Sequence, residues 1–153
     1  MTQMISERSQ FELMEIFMDL QEKRLHALRK LDVPRVNSIV SKLSVVENAL
    51  SSTREGRTRV ENLLRHESPY LRARAAGVVM GWDPAKAIPI FGALLNADLT
   101  PISSVDERLD IRLSSKEWLF KHFGIRNADR NALIEPLRAY GIELPYKDRS
   151  WEH

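Results

Sequence analysis

The chain contains 153 residues, 43% hydrophobic and 29% charged, so it can bury a core of its own without metals or disulfides. It has no cysteine, which excludes disulfides, thiolate metal sites and a cysteine nucleophile. The formal net charge of +2 is too small to indicate nucleic-acid binding from bulk electrostatics.

The N-terminal stretch from Met1 to Leu20 lacks the composition of a secretory signal. Such a signal needs a basic start and an uninterrupted apolar stretch, whereas Glu7 and three further acids lie among the apolar residues here. The sequence has no run of about 20 apolar residues, so no membrane-spanning helix is expected. These features favour a cytoplasmic protein.

The first predicted helix runs from about Glu7 to Lys30 and has two distinct faces. At about 100° per residue, one broad face is apolar, formed by Leu13, Ile16, Phe17, Leu20, Ala27, Leu28 and Leu31 and widened by Met14, Met18 and Leu25. The opposite face carries four acids at helical spacing, Glu12, Glu15, Asp19 and Glu22. We call these four residues the acidic stripe.

The second predicted helix runs from about Pro34 to Ser51, with Asp32 as its N-cap and Pro34 in its first turn. Its apolar face consists of Val36, Ile39, Val40, Leu43, Val46, Ala49 and Leu50. Only residues 31 to 33 separate it from the first helix, and a connection this short predicts an antiparallel helical hairpin.

Further helices are predicted along the rest of the chain, and no stretch alternates in the way that a strand would. The predicted helices span about Arg57 to Arg65, Pro69 to Met80, Pro84 to Leu95 with Asp83 as N-cap, Val105 to Phe123, and Ala128 to Tyr140. Residues 97 to 104 are expected to form a loop, and the charged end from Pro145 to His153 is expected to fray.

The stretch from Leu63 to Leu95, LLRHESPYLRARAAGVVMGWDPAKAIPIFGALL, resembles a HEAT-type repeat. A Leu-Leu helix end, a polar turn, a helix with Ala75 and Ala76, and a Gly-Trp-Asp-Pro turn lead to a second Leu-Leu end 31 residues later. Small residues allow the close helix approach that a stacked solenoid needs. No good second copy follows Leu95, so the resemblance covers one repeat with two degenerate flanks.

The chain from about Phe11 to Phe123 further resembles a small bacterial family of HEAT-like proteins of formerly unknown function. The resemblance rests on the helix DVPRVNSIVSKLSVVENAL, on the HEAT-like centre and on the late stretch SKEW. Some members of that family resemble immunity proteins, which bind and silence toxins, often nucleases, delivered by type VI-like secretion systems. The resemblance therefore implies a toxin-binding protein, but it supplies no motif of contact residues.

Motifs for phosphate binding, metal binding and nucleophilic catalysis are all missing from the sequence. It has no GxGxxG, GxxxxGK[ST], HExxH or GxSxG pattern. The four histidines, His26, His66, His122 and His153, never pair at a spacing of three or four residues. Glu22 and His26 lie one turn apart and are interpreted as a surface pair. We expect no catalytic residue, no metal and no cofactor.

The acidic stripe has two interpretations. Like charges three and four residues apart cost a few tenths of a kcal/mol per pair, and a purely structural face more often mixes in lysine or arginine. The stripe therefore fits a surface that meets a basic partner, but a solvated helix face, or one paired with basic residues of a neighbouring helix, is the favoured interpretation.

Six arginines within 21 residues form a second charged feature, Arg54, Arg57, Arg59, Arg65, Arg72 and Arg74. A concave basic surface of this kind holds DNA in some HEAT-like proteins. Against that, Arg72 falls where HEAT repeats carry a structural arginine, and Tyr70 is the only aromatic residue nearby for base stacking. Structural, protein-binding and nucleic-acid-binding roles stay open.

Three tryptophans are candidate anchors for a partner, Trp82, Trp118 and Trp151. Core packing is the competing explanation for Trp82, which follows Gly81 at a repeat turn, and for Trp118, which shares a helix with Leu119. Trp151 lies in the charged tail, where either role is open.

These observations predict an all-α fold of about six helices in antiparallel pairs, forming a short, right-handed HEAT-like stack. Residues 1–123 form the HEAT-like domain, and residues 124–153 form a helical extension and tail packed on it. Through the resemblance, the expected function is an immunity protein that occludes a cognate toxin in the cytoplasm, without catalysis. The expected contact residues are the acidic stripe (Glu12, Glu15, Asp19, Glu22) and the polar face of the second helix (Arg35, Ser38, Lys42).

Two alternatives from other classes remain. The first is a nucleic-acid-binding HEAT-like protein that uses Arg57, Arg65, Arg72 and Arg74, for which salt-dependent retention on DNA is diagnostic. The second is a non-catalytic scaffold or adaptor without a toxin partner.

Overall fold

A computed structural model describes residues 9 to 148 and confirms the all-α class. Over these residues there are seven α-helices and no strand. The helices are α1 (Gln10–Arg29), α2 (Val33–Ser51), α3 (Arg54–Asn62), α4 (Pro69–Val79), α5 (Pro84–Asn96), α6 (Val105–Phe123) and α7 (Ile134–Arg138). Two 3₁₀ turns, Leu63–Arg65 and Arg130–Leu133, follow α3 and precede α7. None of the described helices is long and apolar enough to cross a bilayer.

Most of the helices begin at a polar side chain that accepts a hydrogen bond from a backbone N–H of the first turn. This holds for α1, α2, α3, α4 and α6, whose capping residues are Ser9, Asp32, Thr53, Ser68 and Ser104. Asp83 occupies the N-cap position of α5 as predicted, but its side chain makes no capping hydrogen bond. Its carboxylate instead lies 3.8 Å from Lys86 Nζ.

One hydrophobic core links the N-terminal hairpin to the C-terminal extension. Its largest members, all less than 2% exposed, include Phe17 of α1, Leu50 of α2, Phe91 of α5 and Leu119 of α6. Leu137 of α7 lies in the same cluster, with Leu133 and Leu144 beside it. The residues after Gly124 therefore share the core of the preceding helices, up to the end of the described region.

Helix α6 contacts α5, α4 and also α1, which is far from it in sequence. Arg112 of α6 donates hydrogen bonds to the carbonyls of Leu94, Leu95 and Ala97, which satisfies the otherwise unpaired end of α5. In a linear stack each repeat contacts only its neighbours. The contact between α6 and α1 is therefore one that a linear stack would not have. The HEAT-like arrangement stays a prediction.

Several boundary and burial predictions are wrong. Helix α3 begins at Arg54, three residues before the predicted start, because Thr53 caps it. Leu31, assigned to the apolar face of the first helix, lies in the connection with a φ of 55° and is 71% exposed. Val40 of α2 is also exposed, at 39%.

The C-terminal end differs from its prediction as well. The last predicted helix, 128 to 140, is a 3₁₀ turn followed by the five residues of α7. The tail is held as far as Lys147, whose backbone N–H and carbonyl both bond to the side chain of Asn131. Arg130 donates to the carbonyl of Pro145. The predicted fraying from Pro145 onward is therefore wrong for these residues, while Trp151 and His153 lie outside the described residues.

Candidate functional site

All four side chains of the acidic stripe are exposed along one face of α1. One positive charge of the same helix lies beside them: Lys23 Nζ is 2.8 Å from the carboxylate of Asp19. Both partners of this pair are more than half exposed, so the pair is screened and contributes little to stability. The ion pair with Lys23 involves Asp19 of the stripe, and all four carboxylates of the stripe lie on the exposed face.

A row of partly exposed apolar side chains runs beside the acidic stripe on the same helix. Phe11 is 56% exposed, and Met14, Met18 and Leu25 are half-buried. The last three were predicted at the margin of the core face. In the structure they form a partly exposed apolar row, which lies next to the row of acids on the surface of the helix.

Two shallow hollows follow this apolar row. The first, about 410 Å³, lies between Phe11, Met14 and Met18 of α1 and Arg59 and Asn62 of α3, with Glu15 at its edge. The guanidinium of Arg59 lies over the Phe11 ring at 5.9 Å, which is a cation–π distance. The apolar floor and charged edge of this hollow resemble a small protein-interface patch.

The second hollow, about 390 Å³, continues the first along α1. Met18 belongs to both, and Leu25 together with Leu71 of α4 forms its apolar floor. Asp19 and Glu22 of the acidic stripe stand at its edge. The two hollows thus place an apolar groove and an acidic edge side by side along about three turns of α1.

The polar residues of α2 that were predicted to join this surface lie apart from the two hollows. Arg35, Ser38 and Lys42 are exposed, as expected, but the hollows are lined from α1, α3 and α4. Their participation stays a prediction. Arg59 and Leu71 line the groove instead, and sequence reasoning could not place them because their side chains reach it from other helices.

A buried polar cluster joins α1, α4 and α6. Arg24, only 8% exposed, makes a bidentate ion pair with Asp110, with N–O distances of 2.9 and 3.2 Å. The same guanidinium donates to the hydroxyl of Tyr70 at 3.0 Å, and that hydroxyl donates to Gln21 Oε1 at 3.3 Å. A second pair, Arg29 with Glu107 at 3.3 Å, follows one turn along. These contacts bind the first helix to the sixth.

The charges of this cluster shift the pKa values of its members. Burial alone would lower the pKa of Arg24, but its hydrogen bonds to Asp110 and Tyr70 and their charges raise it above its ordinary value. Burial raises the pKa of the Tyr70 hydroxyl, although Arg24 opposes this. The cluster therefore holds Arg24 charged and Tyr70 neutral at physiological pH.

The six arginines of the second charged feature do not form one surface. Arg59 pairs with Glu55 at 3.2 Å and lies over Phe11, whereas Arg72 donates to the carbonyls of His66 and Glu67. Arg74 points to the other side of α4, where it lines a cavity with Arg24. The basic surface of Arg57, Arg65, Arg72 and Arg74 that the nucleic-acid alternative requires stays a prediction.

Trp82 belongs to a local network between α3 and α5. Its Nε1 donates to Glu61 at 2.7 Å, Lys86 donates to the other oxygen of that carboxylate at 2.7 Å, and Arg57 lies over the ring at 5.3 Å. The hydrogen bonds from Lys86 and Trp82 hold the pKa of Glu61 below its ordinary value. Trp118 stacks on Phe91 at 6.3 Å. Both tryptophans are half-buried packing residues.

Residues 9 to 148 contain no group of three or more histidine, aspartate or glutamate side chains placed to hold a metal ion. His26 is exposed, and His66 accepts a hydrogen bond from the backbone of Ser68. His122 meets the Phe123 ring edge-on at 4.9 Å. These three histidines therefore lie in separate places and do not form a common site.

The buried carboxyl of Glu47 in α2 is expected to make the stability of the protein depend on pH. Burial raises the pKa of its carboxyl above the ordinary 4.5, and the charge of Arg74 offsets only part of this. The folded state thus holds the proton more tightly than the unfolded chain, so stability falls as the pH rises through 4.5 and above. We expect Glu47→Gln to be more stable than the wild type at neutral pH.

Urea unfolding at about pH 4 and at about pH 7 checks this expectation. The advantage of Glu47→Gln should be much smaller at the lower pH, where the wild-type carboxyl is mostly protonated in both states. Glu143→Gln, at a side chain that is 82% exposed, is the matched control and should change stability little at either pH. Equal stability of Glu47→Gln and the wild type at both pH values would contradict the assignment.

No protein-family model, no curated protein and no solved structure matches this chain. The function must therefore be argued from the surface of α1 and from the buried cluster.

Proposed function

We propose that this chain is a binding protein that occludes a basic protein partner, and that it acts as an immunity protein against a secreted bacterial toxin in the cytoplasm. The proposal depends above all on the paired rows of α1, an apolar row in two hollows beside the acidic stripe. Interfaces typically combine a desolvated apolar centre with a polar edge, and the α1 face has both. Occlusion needs no catalytic residue, which agrees with the motifs absent from the sequence.

The chemistry of the face favours a partner with lysine or arginine around an apolar patch. Phe11 and Met18 would supply the buried anchors, since aromatic and methionine side chains are enriched at interface centres. The carboxylates at the edge would attract the partner during encounter and favour its correct orientation. A nuclease surface, which is basic because it binds nucleic acid, has this chemistry. The HEAT-like resemblance points to the same class of partner.

Charge reversal of the stripe tests the proposal. In Glu15→Lys/Asp19→Lys both substitutions lie on the exposed face, so the fold should survive while attraction of a basic partner becomes repulsion. Against the isolated partner, we expect association about tenfold to a hundredfold slower at low salt, with dissociation changed less. Surface plasmon resonance at two salt concentrations measures both rates.

The control reverses two acids elsewhere, Glu135→Lys/Glu143→Lys, which are 78% and 82% exposed near α7. The partner is first identified by affinity capture from the source bacterium, and it must be a single stoichiometric protein that is toxic when expressed alone. Protection of cells by the wild type and by the control, but not by the stripe variant, would support the proposal. Full protection by the stripe variant would remove the α1 face from it.

The nucleic-acid alternative has one observation in its favour, a basic hollow at the start of α3. Arg54, Arg57 and Lys86 line it together with Trp82, against the single carboxylate of Glu61. Within this hollow Arg57 lies over the Trp82 ring and donates to the carbonyl of Ser51, while Lys86 pairs with Glu61. Salt-dependent retention of the purified protein on a DNA column would favour this alternative.

A further inference from the structure

The unsatisfied donors of the interior gather at one place. Over residues 9 to 148, four buried side-chain nitrogen or oxygen atoms lack a hydrogen-bond partner. Three of the four are nitrogen donors of the buried polar cluster: Gln21 Nε2, Arg24 Nε and Arg74 Nε. Buried polar groups are nearly always bonded, and an unmade bond to a charged donor is especially costly. This part of the molecule therefore lacks acceptors.

Arg74 has the clearest deficit. Among the described contacts, its guanidinium makes neither a hydrogen bond nor an ion pair, and its Nε is buried. The carboxylate of Asp110 is already taken in bidentate fashion by Arg24, and Glu47 acts on Arg74 only through space. Burial and the neighbouring charge of Arg24 both lower the pKa of Arg74. The Asp110 carboxylate, which lies near both guanidiniums, is therefore bonded to Arg24 and not to Arg74.

A cavity of about 500 Å³ opens onto these groups between α1, α4 and α6. Its charged lining consists of Arg24, Arg74, Asp110, Glu117 and Lys121. Three positive charges therefore face two negative ones. The Nε atoms themselves are buried, so an anion in this cavity would bind the terminal nitrogens of Arg74, which have no partner among the described contacts. A guanidinium binds phosphate and carboxylate groups through paired N–H donors.

The outer wall of the same cavity is apolar. Leu113 is 50% exposed there, and the ring of Trp118 lies beside it with Lys121 Nζ at 5.5 Å from the ring. Trp118 is held in place by Phe91 and by Gly77, which leaves room for the indole because a Cβ at that position would lie 3.2 Å from its Nε1. A flat apolar wall next to an anion-binding end is the arrangement that small-molecule sites use.

We propose that this cavity binds a small organic oxyanion, a phosphate monoester or a carboxylate, with its anionic group against Arg74 and Arg24. The aromatic or aliphatic body of the ligand lies against Trp118 and Leu113. This site is separate from the α1 groove and does not depend on the proposed toxin partner.

Isothermal titration calorimetry of the full chain at low salt tests the proposal with three probes: inorganic phosphate, phenyl phosphate and phenylacetate. We expect saturable binding of at least one phenyl compound, tighter than that of inorganic phosphate, because the ring buries apolar surface that the free ion lacks. Binding of phenyl phosphate alone assigns a phosphate ligand, and binding of phenylacetate alone assigns a carboxylate. Absence of saturable binding of all three up to about 10 mM overturns the proposal.

Arg74→Gln is expected to weaken the best probe by about tenfold or more, since it removes the charged donors that have no other partner. Arg65→Gln, at an exposed arginine of the 3₁₀ turn after α3, is the matched control and should bind as the wild type does. Equal weakening by both variants would show a general charge effect and overturn the site.

If circular dichroism shows Arg74→Gln to be unfolded, Lys121→Gln takes its place, since Lys121 is exposed and outside the core. We expect about threefold weaker binding from this variant, because a partly solvated charge contributes less. Unchanged affinity in Lys121→Gln would then overturn the proposal. Inorganic phosphate binding as tightly as phenyl phosphate would overturn the role given to Trp118 and Leu113.

Discussion

Asp110→Asn is expected to lower the free energy of unfolding by about 3–5 kcal/mol, because it leaves the buried charge of Arg24 without a counter-charge. Both side chains of the pair are largely buried, with exposures of 10% and 13%. Asparagine offers one acceptor oxygen where the carboxylate offers two, and it turns an amide donor towards the guanidinium. For a domain with a total stability of about 5–15 kcal/mol, this is a severe loss.

Urea unfolding at neutral pH, followed by circular dichroism, measures the effect. The control is Glu135→Gln, which breaks a single-contact surface ion pair, 2.6 Å from Arg138, at a site 78% exposed. It should cost less than about 1 kcal/mol. A loss of similar size in both variants would mean that the Arg24–Asp110 pair is no more buried in solution than the surface pair.

The double variant Arg24→Met/Asp110→Leu removes both charges. It therefore distinguishes the destabilisation caused by an unpaired buried charge from the net contribution of the ion pair to the free energy of unfolding. Since apolar replacements of a buried ion pair are often neutral, we expect it to regain most of the stability that Asp110→Asn loses. Failure to recover would show that the network with Tyr70 and Gln21 stabilises the α1–α6 contact beyond its charges.

The helices could be predicted from the sequence because their signals are local. The period of the apolar residues identified α1 and α2, and Asp32 was correctly assigned as the cap of α2. Prediction failed where a local signal was weak or misleading. The start of α3 was missed because its cap, Thr53, lies in a polar stretch without a periodic apolar face before it.

The candidate sites were harder to predict from the sequence, since each is assembled from distant segments. The acidic stripe could be predicted because it depends only on the spacing of residues along one helix. The groove beside it also requires Arg59 and Leu71, which come from other helices. Arg24 carried a usable signal: it falls on the same helical face as Phe17 and Ala27, an unusual place for a charge. Its partner could not be named from the sequence, because Asp110 lies 86 residues away.

Gly56→Ala is the second large effect that we expect, with a loss of about 3 kcal/mol of unfolding free energy. Alanine normally stabilises a helix interior by about 1 kcal/mol relative to glycine, so the expected sign runs against propensity. The reason is the close approach of α3 to the end of α2. A Cβ on Gly56 would lie 2.1 Å from the carbonyl oxygen and 2.8 Å from the carbonyl carbon of Leu50. Both are backbone atoms, which a rotamer change cannot move.

The clash should also reach the α1 groove. The same Cβ would lie 2.5 Å from Gln10 Oε1 at the start of α1, and α3 carries Arg59 over Phe11. Relief requires a shift of α3 away from α1 and α2, which would widen the first hollow and weaken partner binding beyond the loss of stability. Thermal unfolding measures the first effect, and binding to the captured partner below the unfolding transition measures the second.

Gly77→Ala is the matched control, because it makes the same change inside another helix. Its Cβ would meet only the Trp118 side chain, at 3.2 Å and beyond, so a shift of a few tenths of an ångström relieves the contact. The gain in helix propensity and the small packing strain should nearly cancel, leaving stability within about 1 kcal/mol of the wild type. If Gly56→Ala were as mild as Gly77→Ala, α3 would have to lie farther from Leu50 than the structure places it. The acidic stripe would then remain on α1, but the hollow that supplies its apolar anchors would lose its second wall.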